Sequence, residues 1–423
     1  MRKYVRYKDS GISWIGEVPE HWETKRVGAY FNENKALNKD FIFKKAYQFK
    51  FGSLVLKNEL GDEREYEDTY VKYTVLNEND IVFNGLNLNY DFVSQRVAIC
   101  PAPGIITSAY IAMSPKNSID SMYYLWLFKT MDNKKMLHGM GSGIRLTLSF
   151  ADIKNQLIPI PPLPEQKAIA EYLDKKTAQI NELVSAKQKQ IELLKEYKQS
   201  VIANAVTGKM NKNRRMKDSG ISWIGKIPEN WDVHYLFQKV REHFISNKEI
   251  HHQNLLSLSY GRIIQKDINK TDGLLPESFD TYQIVENGNV VLRLTDLQND
   301  HKSLRVGYVT QEGIVTSAYE CLEVFDKSLY SKFFYYQLHS FDVKKMFYGM
   351  GGGLRQNISY NELRKIRIAC PPLSEQKEIV AYIEKKVSSI DSQIASIENQ
   401  IANLNEYKQS LISDVVTGKV KVC

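Results

Sequence analysis

Cysteine is scarce: Cys100, Cys321, Cys370 and Cys423 are the four in 423 residues, far apart, with no C-x-x-C pair and no Cys/His cluster. A disulfide framework and a zinc site are therefore not expected, and a reducing compartment fits. The eight histidines, including the adjacent His251 and His252, show no ligand spacing either. No apolar run reaches the roughly 18 residues of a membrane span, and the opening MRKYVRYKDSG lacks the apolar stretch of a secretory signal. These absences predict a soluble, unprocessed, cytoplasmic protein with no membrane partner. Acidic residues are the minority charge, 49 against 57 Lys and Arg for a net +8, which favours a polyanionic partner.

What is present is written twice. KDSGISWIGEVPEHW at 8–22 returns as KDSGISWIGKIPENW at 217–231, and GIITSAY at 104–110 returns as GIVTSAY at 313–319, both at an offset of 209. PPLPEQKAIAEYLDKK at 161–176 recurs as PPLSEQKEIVAYIEKK at 371–386, and EYKQSVIANAVTGK at 196–209 as EYKQSLISDVVTGK at 406–419, now at 210. A period this long is a domain duplication, not a solenoid. Between the matched flanks, residues 33–75 and 244–284 show little mutual similarity, so two equal frames are expected to hold two unequal inserts.

Each copy opens with mixed short β-branched runs, such as DIVFNGL and NVVLRLT, and helical stretches such as MYYLWLFKTMDNKKML. That predicts an α+β domain over 1–158 and again over 211–368. After each proline pair the pattern changes to a long helix, over 159–210 and 369–423, with Ser374 as N-cap and Gly208 and Gly418 as stops. Ile383, Val387, Ile390, Ile394, Ile397, Ile401, Leu404, Leu411 and Val415 form a coiled-coil seam interrupted by Lys408. Leu173, Ile180, Val184, Ile191, Leu194 and Val201 form a weaker one, with Lys187 at a seam position. Such seams need partners. Pairing of the two helices within one chain gives a pseudo-twofold, antiparallel dumbbell; the alternative is homodimerisation through both seams.

The order of domain, PPLPEQK helix, second domain and PPLSEQK helix, each half opening on SGISWIG, resembles the specificity subunit of type I restriction-modification enzymes over essentially the whole chain. The resemblance implies two target recognition domains, each reading one half of a bipartite double-stranded DNA sequence, with conserved helices as a ruler. It also implies docking of two modification (methyltransferase) subunits and of restriction (motor-nuclease) subunits. S-adenosylmethionine, ATP and Mg2+ would belong to those partners, with no cofactor or metal in this chain. Divergent inserts would make the two half-sites differ, whereas identical ones would give a palindrome.

Residues with a chemical role can be weighed beside this. GMGSGIR at 139–145 and GMGGGLR at 349–355 follow a helix and precede an extended run, the wrong order for a nucleotide cradle, which needs strand, glycines, helix. They remain either plain turns or DNA-facing loops, with Ser142, Arg145 and Arg355 as candidate contacts. The loops after DIVF and NVVL carry Asn84, Asn87 and Asn89 in one copy and Arg293, Asp296 and Asn299 in the other, types suited to adenine and guanine edges, although a solvated loop explains them equally. Arg96 and Arg305 match between copies and are candidates for phosphate contacts or internal ion pairs. The E-x-K of each EQK, with Asp152 or Glu362 upstream, belongs to a helix start and not a nuclease strand. Glu165, Gln166, Glu375 and Gln376 are therefore read as helix-start or subunit-docking residues, together with the seam positions Leu173, Ile180, Ile191, Leu194, Ile383, Ile390, Ile397 and Leu404. Trp14, Trp22, Trp223 and Trp231 read as core residues clasping each domain's start. No N-P-P-[FY] or D-P-P-[FY] run is present, and VTGK at 206–209 does not complete a Walker loop, so neither methylation nor ATP chemistry is expected of this chain. Rival readings are a coiled-coil scaffold without a DNA role and a self-sufficient DNA modification enzyme.

Overall fold

A computed structural model describes residues 2–57, 66–116, 119–143, 146–210, 213–268, 278–350 and 357–422. The chain forms two compact units, Met1–Lys187 with Glu398–Cys423, and Gln188–Ile397. In unit 1, strands β1 (Phe31–Asn34), β4 (Ile81–Phe83), β5 (Val97–Ile99) and β6 (Ile111–Pro115) make an antiparallel sheet in the order β1-β6-β4-β5. Between β1 and β4 lies a hairpin of β2 (Tyr47–Lys50) and β3 (Ser53–Leu56). DIVF reads as a run because β4 is buried on both faces. Ile81 and Phe83 pack with Tyr124 and Phe128 of α1 (Ser121–Asn133), and Val82 packs on Tyr47 and Leu54 of the hairpin.

Unit 2 repeats the plan with β7 (Val240–Glu242), the hairpin β8 (Leu256–Ser259) and β9 (Arg262–Gln265), then β10 (Val290–Leu292), β11 (Val306–Tyr308) and β12 (Glu320–Val324). The sheet order is β7-β12-β10-β11, with one face on the helix Ser331–Val343 and Val291 on the hairpin side. Among the described residues, the two inserts expected to be unequal share one hairpin fold. Both hairpins have the same register at the 209 offset, Lys50 opposite Ser53 and Ser259 opposite Arg262. Both are preceded by a buried asparagine, Asn38 or Asn247, whose side chain bridges the backbone of residue 43 or 252. Hairpins tolerate almost any outward residue, so sequence identity vanished while the pleat persisted.

A short antiparallel pair closes each domain, Glu23–Arg26 with Leu157–Ile160, and Asp232–Tyr235 with Arg367–Cys370. These closing strands run two residues past 158 and 368. Beyond them run α2 (Leu163–Val206) and, with the helix Ser331–Val343 as α3, the equivalent α4 (Leu373–Val416), each 44 residues and about 66 Å at 1.5 Å per residue. Ser374 lies inside the first turn of α4 and not at its N-cap. Within unit 1, Lys408 donates to Asn181 and Lys187 to Gln400, so the segments run antiparallel. Within unit 2, Lys198 donates to both oxygens of Asp391. The lysines that interrupt the seams are thus paired across them. Ile180, Ile191, Ile390 and Ile397 are buried and Leu194 and Leu404 half-buried, whereas Leu173 and Ile383 belong to the domain cores. Among the described residues no helix is long and apolar enough to cross a membrane.

Each unit combines the start of its own helix with the end of the other. Gly208 and Gly418 terminate α2 and α4 at φ 74° and 77°, and the Lys209 and Gly208 N–H groups bond the Asn204 and Ala205 carbonyls in a Schellman closure. A Cβ at Gly208 would collide with Pro228 and one at Gly418 with Pro19, beside the fully buried Trp231 and Trp22. Trp14 and Trp223 are half-buried. Gly208→Ala combines a left-handed alanine with overpacking, so a loss of about 2–4 kcal/mol is expected. Hydrogen exchange should locate that loss in unit 2, and the loss from Gly418→Ala in unit 1.

Candidate nucleic-acid interface

The loops after β4 and β10 share one internal frame. Arg96 is 2% exposed, and its guanidinium donates to the carbonyls of Asn84 (3.2 Å), Leu86 (2.8 Å), Asn87 (3.4 Å) and Asp91 (2.8 Å). Arg305, fully buried, donates to Arg293 (3.3 Å), Thr295 (2.8 Å) and Asp300 (2.5 Å). Asp91 and Asp300 turn the chain by accepting two backbone N–H groups each, from Val93 and Ser94 and from Lys302 and Ser303. Those bonds hold the Asp91 carboxyl at about 2 and the Asp300 carboxyl below the usual range. Leu88 and Leu297 anchor the loops in the core, while Asn87 and Asp296 take the left-handed conformation at φ 52° and 57°. A ring stack closes the far side, Phe92 on His138 and His301 on Tyr348, both at 4.8 Å.

Outward positions on this common frame differ in kind. Asn84, Asn87, Asn89, Tyr90 and Val93 stand where unit 2 has Arg293, Asp296, Gln298, Asn299 and Lys302. Asn299 donates to the Asp296 carboxylate at 2.7 Å, giving unit 2 a paired polar edge. The residues just beyond the glycine turns bond the same loops. Leu88 N–H reaches the Leu146 carbonyl, and Asp296 N–H reaches Asn357 Oδ1 at 3.0 Å. Ser142 is exposed and bridges to Thr147, and Leu146 N–H returns to the Gly143 carbonyl, so the described part of the run expected to be extended, from Leu146 on, is not a strand. Arg145 and Arg355 lie outside the described residues.

Comparison with known proteins adds the decisive observation. The type I restriction modification DNA specificity domain matches residues 19–193 and 269–406. The chain belongs to this specificity family. It is 26% identical, over 96% of its length and 94% of the relative's, to the type I restriction enzyme MjaVIII specificity subunit of Methanocaldococcus jannaschii. A stretch of 88 residues, 20% of this chain and 19% of the relative's, is 36% identical to the EcoBI specificity subunit of Escherichia coli. The fold resembles a chain from a study of type I assembly and conformational transition (TM-score 0.72, 13% identity, covering 95% of this chain and 99% of that one). It also resembles the HsdS subunit of Thermoanaerobacter tengcongensis (TM-score 0.56, 15% identity, 95% and 98%). The protein is a specificity subunit with two tandem recognition domains, a component of a type I restriction-modification complex that recognises DNA.

Within this specificity subunit two sets of expected contacts need correction. Arg96 and Arg305 cannot reach a phosphate, because both guanidiniums are buried under carbonyls; of the two roles expected, the internal one holds. Gln166 and Gln376 are buried too, and their side chains serve the helix start, the other role expected of them. They accept the Asp120 and Tyr330 N–H groups and donate to Pro161 and Pro371, tying α2 and α4 to the starts of α1 and α3. Glu165 accepts from Tyr4 and the Trp22 indole and pairs with His21, and Glu375 holds Arg214, Asn230 and the Trp231 indole. Asp152 and Glu362 complete capping boxes with Ser149 and Ser359. The E-x-K elements are therefore joints. Repetition of EQK beside the repeated tryptophans was the available signal for that role.

Beneath each frame, Asp132 and Asp342 accept the Arg96 and Arg305 backbone N–H at 2.6 and 2.5 Å. Burial pushes both carboxyls up, Asp342 to about 6, against the lowering pull of that N–H. The folded state thus holds the Asp342 proton more tightly than the unfolded chain. Stability from this group is fullest below pH 4 and falls as pH rises through about 6. Buried His339, pulled down to about 4, has the opposite slope. The readout is accordingly the Tm of Asp342→Asn minus that of wild type, which should rise between pH 4 and 6 and then level. Arg305→Ala should cost about 3 kcal/mol by leaving the loop carbonyls unpaired while the backbone N–H to Asp342 is kept, with amide exchange accelerating at 293–301 and not at 84–92.

Proposed function

We propose that each unit reads one half of an asymmetric bipartite duplex target, through side chains presented by the Arg96 and Arg305 frames. The observation that carries this reading is the matched loop pair: identical internal anchors, Leu88 and Leu297, Asp91 and Asp300, Arg96 and Arg305, under different outward residues. A plain scaffold has no use for a conserved rack holding divergent side chains. Asn87 suits an adenine edge, Arg293 suits guanine, and Asp296 accepts from cytosine, whereas the Asn89 amide oxygen is buried. Ser142 and Gly141 of the first glycine turn lie beside the Leu88 loop and suit backbone positioning.

In this reading two modification subunits dock on the protein and carry S-adenosylmethionine, and restriction subunits carry ATP and Mg2+; assembly takes place in the cytoplasm. The chain itself performs no methyl transfer. The lack of an adenine-methyltransferase or ATPase motif in the sequence supports this over the self-sufficient enzyme.

Residues 27–156 leave and return through the paired strands Glu23–Arg26 and Leu157–Ile160, which makes them an exchangeable module. Replacing them with the equivalent segment of a relative, and mapping adenine methylation with modification subunits supplied, should change one half-site and leave the other half-site and the spacer intact. Simultaneous change of both half-sites would contradict one reader per unit. Methyl transfer by the isolated chain would contradict the non-catalytic role.

A further inference from the structure

The two hairpins end in a feature that the recognition loops do not account for. Phe51-Gly52 and Tyr260-Gly261 form two-residue turns with both φ angles positive, 48° and 73° in one and 47° and 78° in the other. This is the type I′ pattern, whose first position ordinarily holds Asn, Asp or Gly. A bulky aromatic residue at positive φ is an outlier, and persistence of such strain marks positions held for another reason. Packing is not that reason, because Phe51 is 82% and Tyr260 78% exposed. Surrounding residues have diverged between the copies, yet each tip retains one projecting ring.

Location narrows the partner. A Cβ at Gly52 would lie 2.7 Å from Cβ of Gln95, and one at Gly261 would lie 2.9 Å from Cβ of Leu304, so each tip rests on the residue just before the arginine that frames the recognition loop. Each final rung also carries an exposed cation, Lys50 on the first strand of one hairpin and Arg262 on the second strand of the other. Arg262 approaches Asp391 only at 4.0 Å, with its side chain 75% exposed. An apolar ring between a cation and a polar reading loop matches duplex DNA, where cations meet phosphate and an aromatic or aliphatic wedge enters a base step.

We infer that Phe51 and Tyr260 are wedges, each inserting its ring at a base step of its own half-site and locally unstacking it. This rests on the reading of one half-site per unit. The ring would contribute affinity and DNA distortion, whereas the adjoining loop would carry base choice.

The test uses the full chain assembled with its modification subunits and duplexes bearing 2-aminopurine at successive positions across the methylated target. Phe51→Asn installs a residue suited to the turn, so Tm should hold or rise. Affinity should fall about tenfold, the scale of one lost base–aromatic contact, and the fluorescence rise should vanish in one half-site only. Tyr260→Asn should do the same in the other half-site, and Phe51→Trp should retain both signals. Unchanged affinity and fluorescence in both Asn variants would overturn the wedge, as would loss of modification-subunit binding with DNA contact intact. Absence of sequence-specific binding by the wild-type assembly would instead remove the recognition reading itself.

Discussion

A guanidinium buried beneath inward-pointing carbonyls is the interaction on which each recognition surface depends. A loop of some dozen residues without secondary structure must satisfy its own backbone, and water does this only on the outer side. Arg96 and Arg305 satisfy the inner side, each reaching three or four carbonyls with a rigid planar donor set that lysine lacks. Their charge is balanced by carboxylates at the rim, Asp91 and Asp300, while Asp132 and Asp342 beneath hold their backbone N–H groups. With the backbone thus fixed from inside, outer side chains are released from any structural duty.

The same economy governs the joints. Glu165 and Glu375 sit in the first turns of their helices and gather the indoles that seal each domain's opening segment. In unit 2 the end of α2 continues covalently into the next segment through Arg214, which pairs with Glu375. Unit 1 has no such link, and there Arg2 bridges Lys421 while Tyr4 bonds Glu165. Noncovalent closure in one unit therefore reproduces what chain connectivity provides in the other, and both units keep the same helix-end glycine under the same proline and tryptophan.

What the sequence disclosed follows from which forces are periodic. Seam isoleucines, buried strands such as DIVF, and glycine stops announce themselves by spacing, and they fall where that spacing places them except Ile383, which joins a domain core. Hairpins β2–β3 and β8–β9 did not, because YQFKFGSLVLK and LSLSYGRIIQK share little beyond an aromatic-glycine pair and a closing lysine. Alternation survives many substitutions, and two residues are too few to find by eye. Arg96 and Arg305 were visible as matched residues, but an arginine beside a loop reads alike whether it faces phosphate or carbonyl. Only burial separates the two. Gln166 and Gln376 misled for the same reason: a polar residue in a helix's first turn looks exposed until the neighbouring helix start is seen to lie on it.

Separation of frame from surface has an energetic consequence for how such a protein diversifies. Substitutions at the exposed positions Tyr90, Val93, Gln298 or Lys302 alter groups at the loop surface, so their effects on stability should stay within a few tenths of a kcal/mol and add across the two units. Substitutions at Arg96, Asp132 or Leu88 reach buried partners and carry the several-kcal/mol costs of unsatisfied or unpaired groups. Selection on DNA sequence can therefore work on one layer while selection on folding holds the other. Because each copy has its own frame, change in one half-site need not be compensated in the other. Duplication supplied that independence, and the divergence of the two surfaces over matching frames is what it leaves behind.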